Sequence, residues 1–325
     1  NLLKIDGVGA FKLKELSEKI QLDEADEEVQ FIEDNHIEFT YFQDKRYPER
    51  MKHCIDGPIL FFQNGNIDLQ NKKIISIVGT RNASTYGKSF CEKLIEDLTP
   101  LDPVIVSGFA YGIDITAHKA AMENGLQTIA CLAHGFNQIY PKTHKKYVAK
   151  VEENGGFITE FWSSDAFDRN NFLKRNRIIA GMSQATIVIE SAEKGGSLVT
   201  ADIANSYDRE VFALPGRATD SQSRGCNSLI KTQQAHLFTS AADLIYMLGW
   251  ELEEAKLKPQ QTQLFVELTK DEKIIFSYLK DRDKEVLDII AIECKIPAYK
   301  VASILLAMEL KGVIRPLPGK LFQVA

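Results

Sequence analysis

Four segments of this chain end in glycine and small polar residues of the kind that surrounds phosphate. They are Val78-Gly79-Thr80-Arg81, Ser107-Gly108-Phe109-Ala110-Tyr111-Gly112-Ile113-Asp114, Lys194-Gly195-Gly196-Ser197-Leu198-Val199-Thr200 and Pro215-Gly216-Arg217. Glycine lets backbone come close to a ligand, and the free N–H groups of a following helix start attract an anion. Cations are interleaved with these loops. Arg81 follows the first glycine directly, and the run from Arg169 to Arg177 sets Arg169, Lys174, Arg175 and Arg177 around one aromatic, Phe172. Phosphates call for such cations, and an unstacked base calls for an aromatic plane. One such loop alone is as readily a plain turn; several on one sheet edge point to a multi-phosphate cradle. The lysines at 142, 145, 146 and 150 read as a solvated helix face.

Other chemistries lack their residues. None of the loops is GxGxxG or GxxxxGK[ST], so neither a nicotinamide cofactor nor a nucleoside triphosphate is indicated, and no cofactor is expected. Ser197, His134 and Asp114 can be grouped as a triad, but no GxSxG elbow supports them. Glu160, Glu190 and Asp114 read as neutralisers of neighbouring arginines, with Arg177 a candidate for such a structural pair. The cysteines, at 54, 91, 131, 226 and 294, are odd in number and widely spaced, without a CxxC pair, and the six histidines have no HExxH spacing. That pattern fits reduced thiols in a cytoplasmic protein without a metal.

Positioning these loops takes alternating strands and helices. Apolar, β-rich runs at 74–78, 104–106, 128–132, 185–189 and 210–214 alternate with helical patterns. Runs apolar on both faces are expected of strands covered on both sides, and their alternation with helices is the signature of a parallel α/β sheet. Ligands of such sheets sit outside the carboxyl ends of the strands, where the glycine loops fall. The expected divisions are a helical N-terminal segment at 1–70, with one extended stretch at 58–62, the α/β domain at 71–250 and a polar linker at 251–263. Residues 264–325 follow, with about three short helices and a hairpin turned at Pro318-Gly319, the winged-helix pattern.

Composition sets the outer limits. The 325 residues are 44% hydrophobic and 26% charged, which suits a folded globular chain and excludes a disordered one. No apolar run is long enough to span a bilayer, so no membrane partner is expected. The chain opens Asn1-Leu2-Leu3-Lys4 without an initiator Met or signal-peptide pattern, which reads as a trimmed start. The net charge of −6 is uneven: residues 1–72 carry nine basic and fifteen acidic side chains, leaving the rest near neutral. A nucleic-acid partner would have to bind a local basic patch rather than the whole surface.

Taken together, Val78 to Arg81, Ser107 to Asp114, Phe172 to Gly181 (FLKRNRIIAG), Gly196 to Ala201 (GSLVTA) and Phe212 to Gly216 resemble the DNA-processing protein DprA (Smf) family. So do Tyr47-Pro48 and the run from Asp56 to Gly65, and the resemblance extends in order over about residues 40–250. It implies an extended Rossmann-like domain that is not an enzyme. Such a domain binds single-stranded DNA, protects incoming strands during natural transformation and loads the RecA recombinase. It also implies a homodimer, with single-strand-binding protein as a further candidate partner. The DNA pocket implied here comprises Gly79, Thr80, Arg81, Ser107, Gly108, Phe109, Gly196 and Ser197. Phe172 would stack a base, and Arg169, Lys174 and Arg175 would meet phosphate. Leu3 to Gly9 resembles the front of a helix-hairpin-helix, and the C-terminal block resembles the family's winged-helix domain. The competing reading is a nucleotide-processing hydrolase. Lys194 to Ser197 is faintly similar to the Gly-Gly-x-Gly-Thr loop of lysine-decarboxylase-like phosphoribohydrolases, although their catalytic acid is not matched at Ala201-Asp202.

Overall fold

The computed structural model describes residues 22–70, 72–250, 268–280, 284–317 and 321–324, with the single positions 9, 11, 13, 14 and 282. It divides into two units, residues 1–252 and 253–325.

The first unit runs α1 (Leu22–Asp34), β1 (Glu38–Tyr41), α2 (Glu49–Lys52), β2 (Leu60–Gly65), β3 (Ile74–Val78), α3 (Thr85–Leu98), β4 (Val104–Ser107), α4 (Ile113–Glu123) and β5 (Thr128–Cys131). It continues with α5 (Val148–Glu153), β6 (Gly155–Thr159), α6 (Asn171–Met182), β7 (Ala185–Val188), α7 (Gly196–Ser206), β8 (Glu210–Ala213), α8 (Arg224–Lys231), β9 (His236–Leu237) and α9 (Ala241–Met247). The nine strands form one sheet in the order β1-β2-β6-β5-β4-β3-β7-β8-β9. Strands β3 to β9 are parallel, and β1 and β2 add an antiparallel edge.

The expected apolar runs are central strands because both of their faces are covered. In β3 the side chains alternate: Ile75 and Ile77 join a core with Leu94, Ile95 and Ile113 of α3 and α4. Ile74 and Val78 join the opposite core with Ile178 and Ile179 of α6 and Ala201 and Ala204 of α7. From β3 the chain steps outward through β4, β5 and β6, then crosses back to place β7 on the other side of β3. The carboxyl ends of β3 and β7 therefore flank the point where the winding reverses, where a crevice opens in such sheets.

Two features depart from the sequence expectations. Residues 38–65, assigned to a separate helical segment, contribute β1 and β2 to the sheet, so residue 71 does not mark its start. Strand β6 is a further strand, at Gly155-Gly156-Phe157-Ile158-Thr159. Its glycines mask the β pattern, yet the sheet requires them. Gly155 has φ +146°, and a Cβ there would lie 2.1 Å from the Thr128 carbonyl oxygen.

The second unit contains α10 (Lys270–Lys280), α11 (Leu287–Glu293) and α12 (Ala298–Leu310) with a small sheet in the order β10 (Glu285–Val286), β12 (Leu321–Val324), β11 (Ile314–Leu317). Ile275, Leu279, Ile290, Val301, Leu305, Met308 and Ile314 form its core. Three helices and a strand pair make the expected winged-helix pattern. The linker at 251–263, the Pro318-Gly319 turn and residues 3–8 of the hairpin-like motif lie outside the described residues. Among the described residues no helix is long and apolar enough to cross a membrane.

Candidate nucleic-acid interface

Helix α6 carries the central side chains in register. Phe172, Arg175, Asn176 and Ile179 stand at i, i+3, i+4 and i+7, one face of a helix, and all four line a cavity of about 340 Å³ at the β3–β7 reversal. Opposite them lie Gly79, Thr80, Arg81 and Asn82 after β3, Ala110 and Asp114 after β4, and Lys194, Gly195, Gly196 and Ser197 at the start of α7. Helix α7 has glycine at its N-cap and no side chain capping it. The Leu198 N–H returns to the Gly195 carbonyl at 3.1 Å, which leaves the two N–H groups ahead of it, those of Gly196 and Ser197, to meet an anion.

The two cavity arginines have different jobs. Arg175 is buried, with only 4% exposure, and Nη1 donates to the backbone carbonyls of Gly108, at 2.7 Å, and of Cys131. Asp114 lies beside it, also buried. Burial pushes the Asp114 carboxyl above its ordinary range against the pull of Arg175, and burial likewise lowers Arg175. The guanidinium thus stitches the ends of β4 and β5 to α6. Gly108 is glycine because a Cβ there would lie 2.7 Å from both Arg175 Nη atoms and from Asp114 Oδ2. Arg81 is exposed, and its guanidinium lies over the Phe172 ring at 5.4 Å from the centroid, with Arg175 at 5.9 Å. An exposed cation on an aromatic plane at the cavity mouth can trade that ring contact for a phosphate while a base takes its place.

Of the residues expected to bind, Gly79, Thr80, Arg81, Phe172, Arg175, Gly196 and Ser197 line the cavity. The remaining five do not. Ser107 is fully buried and its hydroxyl donates to the Ile77 carbonyl at 2.6 Å. Gly108 is sealed under Arg175. Phe109, in a left-handed conformation with φ 59°, turns its ring away from the cavity into a core against Phe157, His118 and His144. Arg169, which precedes α6, and Lys174 are both exposed and do not line the cavity. Arg177, two residues from Arg175 and so on the far side of the helix, pairs with Glu160 and donates to the Asp56 carbonyl. Glu190 departs from the expected arginine pairing. It accepts from the backbone and hydroxyl of Ser84, anchoring the N-terminus of α3.

Asn176 and Lys194 were absent from the sequence-derived set. Asn176 is nearly buried, and its carboxamide points at the Gly196 carbonyl at 3.5 Å. The i+4 spacing from Phe172 was the available signal for it.

The fold and this cleft define a Rossmann-like protein carrying a winged-helix unit. The chain belongs to the DNA recombination-mediator protein A family: that family's model matches residues 38–249, and a DprA winged-helix model matches residues 259–320. It is 38% identical over 221 residues to the DNA processing protein DprA of Streptococcus pneumoniae, covering 66% of this chain and 78% of that protein. The crystal structure of the S. pneumoniae protein aligns with TM-score 0.62 at 37% identity, over 65% of this chain and 74% of that one. A structure of DNA processing protein A from Helicobacter pylori, described for its single-stranded DNA binding mode, aligns with TM-score 0.59 at 28% identity. It covers 66% of this chain and 96% of the other.

Proposed function

We propose that the α/β unit binds single-stranded DNA without sequence preference and without catalysing a reaction on it. The observation that carries this reading is the grouping, around one cavity, of a buried guanidinium, an exposed guanidinium on an aromatic ring, a lysine and an uncapped glycine helix start. Phosphates would meet the α7 amides, Lys194 and Arg81, and a base would stack on Phe172; Arg175 would hold the floor rigid. The described single-strand binding of the H. pylori relative supports the reading. We extend it to the family role inferred from sequence: a cytoplasmic homodimer that protects incoming strands in transformation and delivers them to RecA, with single-strand-binding protein nearby.

The hydrolase alternative has little to work with. Asp114 is the sole carboxylate among the cavity-lining residues, and it is buried beside Arg175. Incubation with nucleoside monophosphates would release free base on that alternative and leave them intact on ours. The binding test is fluorescence anisotropy of labelled oligothymidylate across salt. Arg81→Ala should weaken binding and lower the salt slope by about one. Phe172→Ala should cost about 1–3 kcal/mol. Binding equal to the parent by both variants would refute the assignment.

A further inference from the structure

Beside the cleft is a second groove, of about 680 Å³, that none of the glycine loops forms. Phe136, Tyr140, Lys142, Lys145 and Phe167 line it, and no acidic residue does. It is continuous with the cleft through an aromatic triangle: the Phe172 ring lies 5.6 Å from that of Tyr140 and 5.8 Å from that of Phe167, which are 5.2 Å from each other. Phe172 is partly buried and already carries a guanidinium on its ring. Tyr140 and Phe167, by contrast, remain 40% and 42% exposed. Two half-exposed rings abutting the stacking residue, edged by two exposed lysines, repeat the cation-and-plane chemistry of a single-strand groove.

We propose that this groove is a second nucleotide subsite, in which a strand leaving Phe172 stacks bases on Tyr140 and Phe167 and sets its phosphates against Lys142 and Lys145. The proposal rests on the single-stranded DNA reading of the cleft and extends its footprint. A rival exit exists past Arg81, in a groove lined by Lys88, Lys119 and Lys146. That groove also holds Glu92, and it has no ring contact to Phe172.

The test is anisotropy with oligothymidylates of increasing length. Lys142→Gln combined with Lys145→Gln changes exposed side chains only, and Phe167→Leu keeps an apolar contact with Phe172 while removing the stacking face. Both variants should bind the shortest retained oligonucleotide like the parent and fall at least about fivefold behind it on long strands. Phe167→Tyr should restore the long-strand affinity. Length curves superimposable on the parent's would overturn the proposal. So would a long-strand loss confined to Lys88→Gln, Lys119→Gln and Lys146→Gln. If the parent itself binds no oligonucleotide of any length, the cleft reading fails first and the subsite fails with it.

Discussion

Arg175 and Arg81 flank the same ring, and separating their roles gives the sharpest mutational forecast. Replacing Arg175 by Met keeps an unbranched side chain of similar reach but removes the Nη1 donor to the carbonyls of Gly108 and Cys131. It also leaves Asp114 buried without its cationic neighbour. Deleting one member of a buried charged pair typically costs about 3–5 kcal/mol, because the remaining groups stay desolvated and unpaired. Arg81→Ala removes an exposed side chain and should stay within about 0.5 kcal/mol of the parent. Both tryptophans, Trp162 and Trp250, fall in the α/β unit, so urea unfolding followed by tryptophan fluorescence reports on that unit. Adding Asp114→Asn to Arg175→Met should recover part of the loss, since it removes the buried charge that the Arg175 guanidinium opposes across the site. An Arg175→Met variant within about 1 kcal/mol of the parent, or an Arg81→Ala variant equally damaged, would refute this division of labour.

Three further outcomes follow from the packing. His118 is fully buried, and its Nδ1–H must donate to Thr128 Oγ1 at 2.7 Å, because that hydroxyl gives its own hydrogen to the Ile105 carbonyl. Burial first, then His144 and Arg175, pushes the ring pKa down to about 3. The neutral form is therefore the folded form: its stabilisation is complete above about pH 6.5 and is lost, at about 1.4 kcal/mol per unit, as pH falls towards 3. Urea midpoints across that range should flatten in His118→Phe, and an unchanged slope would contradict the assignment. Gly108→Ala should destabilise the unit by forcing Arg175 and Asp114 apart, whereas Gly196→Ala, with nothing within 4 Å of the new Cβ, should leave the melting temperature unchanged or higher. In the winged-helix unit, Glu272 accepts from Lys311 Nζ at 2.7 Å and from the Thr269 N–H at 2.7 Å, and the Lys311 bond lowers its pKa. Its contribution is present above about pH 4.5 and lost as pH falls below, and Glu272→Ala should cost about 0.5–2 kcal/mol as a lost helix cap. Circular dichroism melts of the full chain should show it in the transition assigned to that unit.

The sheet was legible wherever its strands are apolar on both faces, as at 74–78 and 185–189, because burial dictates both composition and element type there. It was not legible at Gly155 to Thr159, where close approach of neighbouring strands replaces side chains with glycine. The cleft was legible as a set of loops, since glycine and cation spacing is local. What the spacing could not reveal is direction. Phe109 sits in the same loop motif as Ala110 and Asp114, yet its left-handed backbone turns it into the core. Arg175 and Arg177 are identical in type and two residues apart, yet helical rotation sends one to the cleft floor and the other to Glu160. Tyr140 joins Phe167 and Phe172, themselves only five residues apart, through tertiary packing across a gap of 27 residues.

Photocrosslinking of a thymidine oligonucleotide to the 325-residue chain, followed by peptide mapping, tests the central claim most directly. The cleft account predicts adducts on Phe172 and its neighbours at the β3–β7 reversal, lost when Arg81 is replaced by alanine. Adducts confined to the winged-helix unit, or indifferent to Arg81, would contradict it.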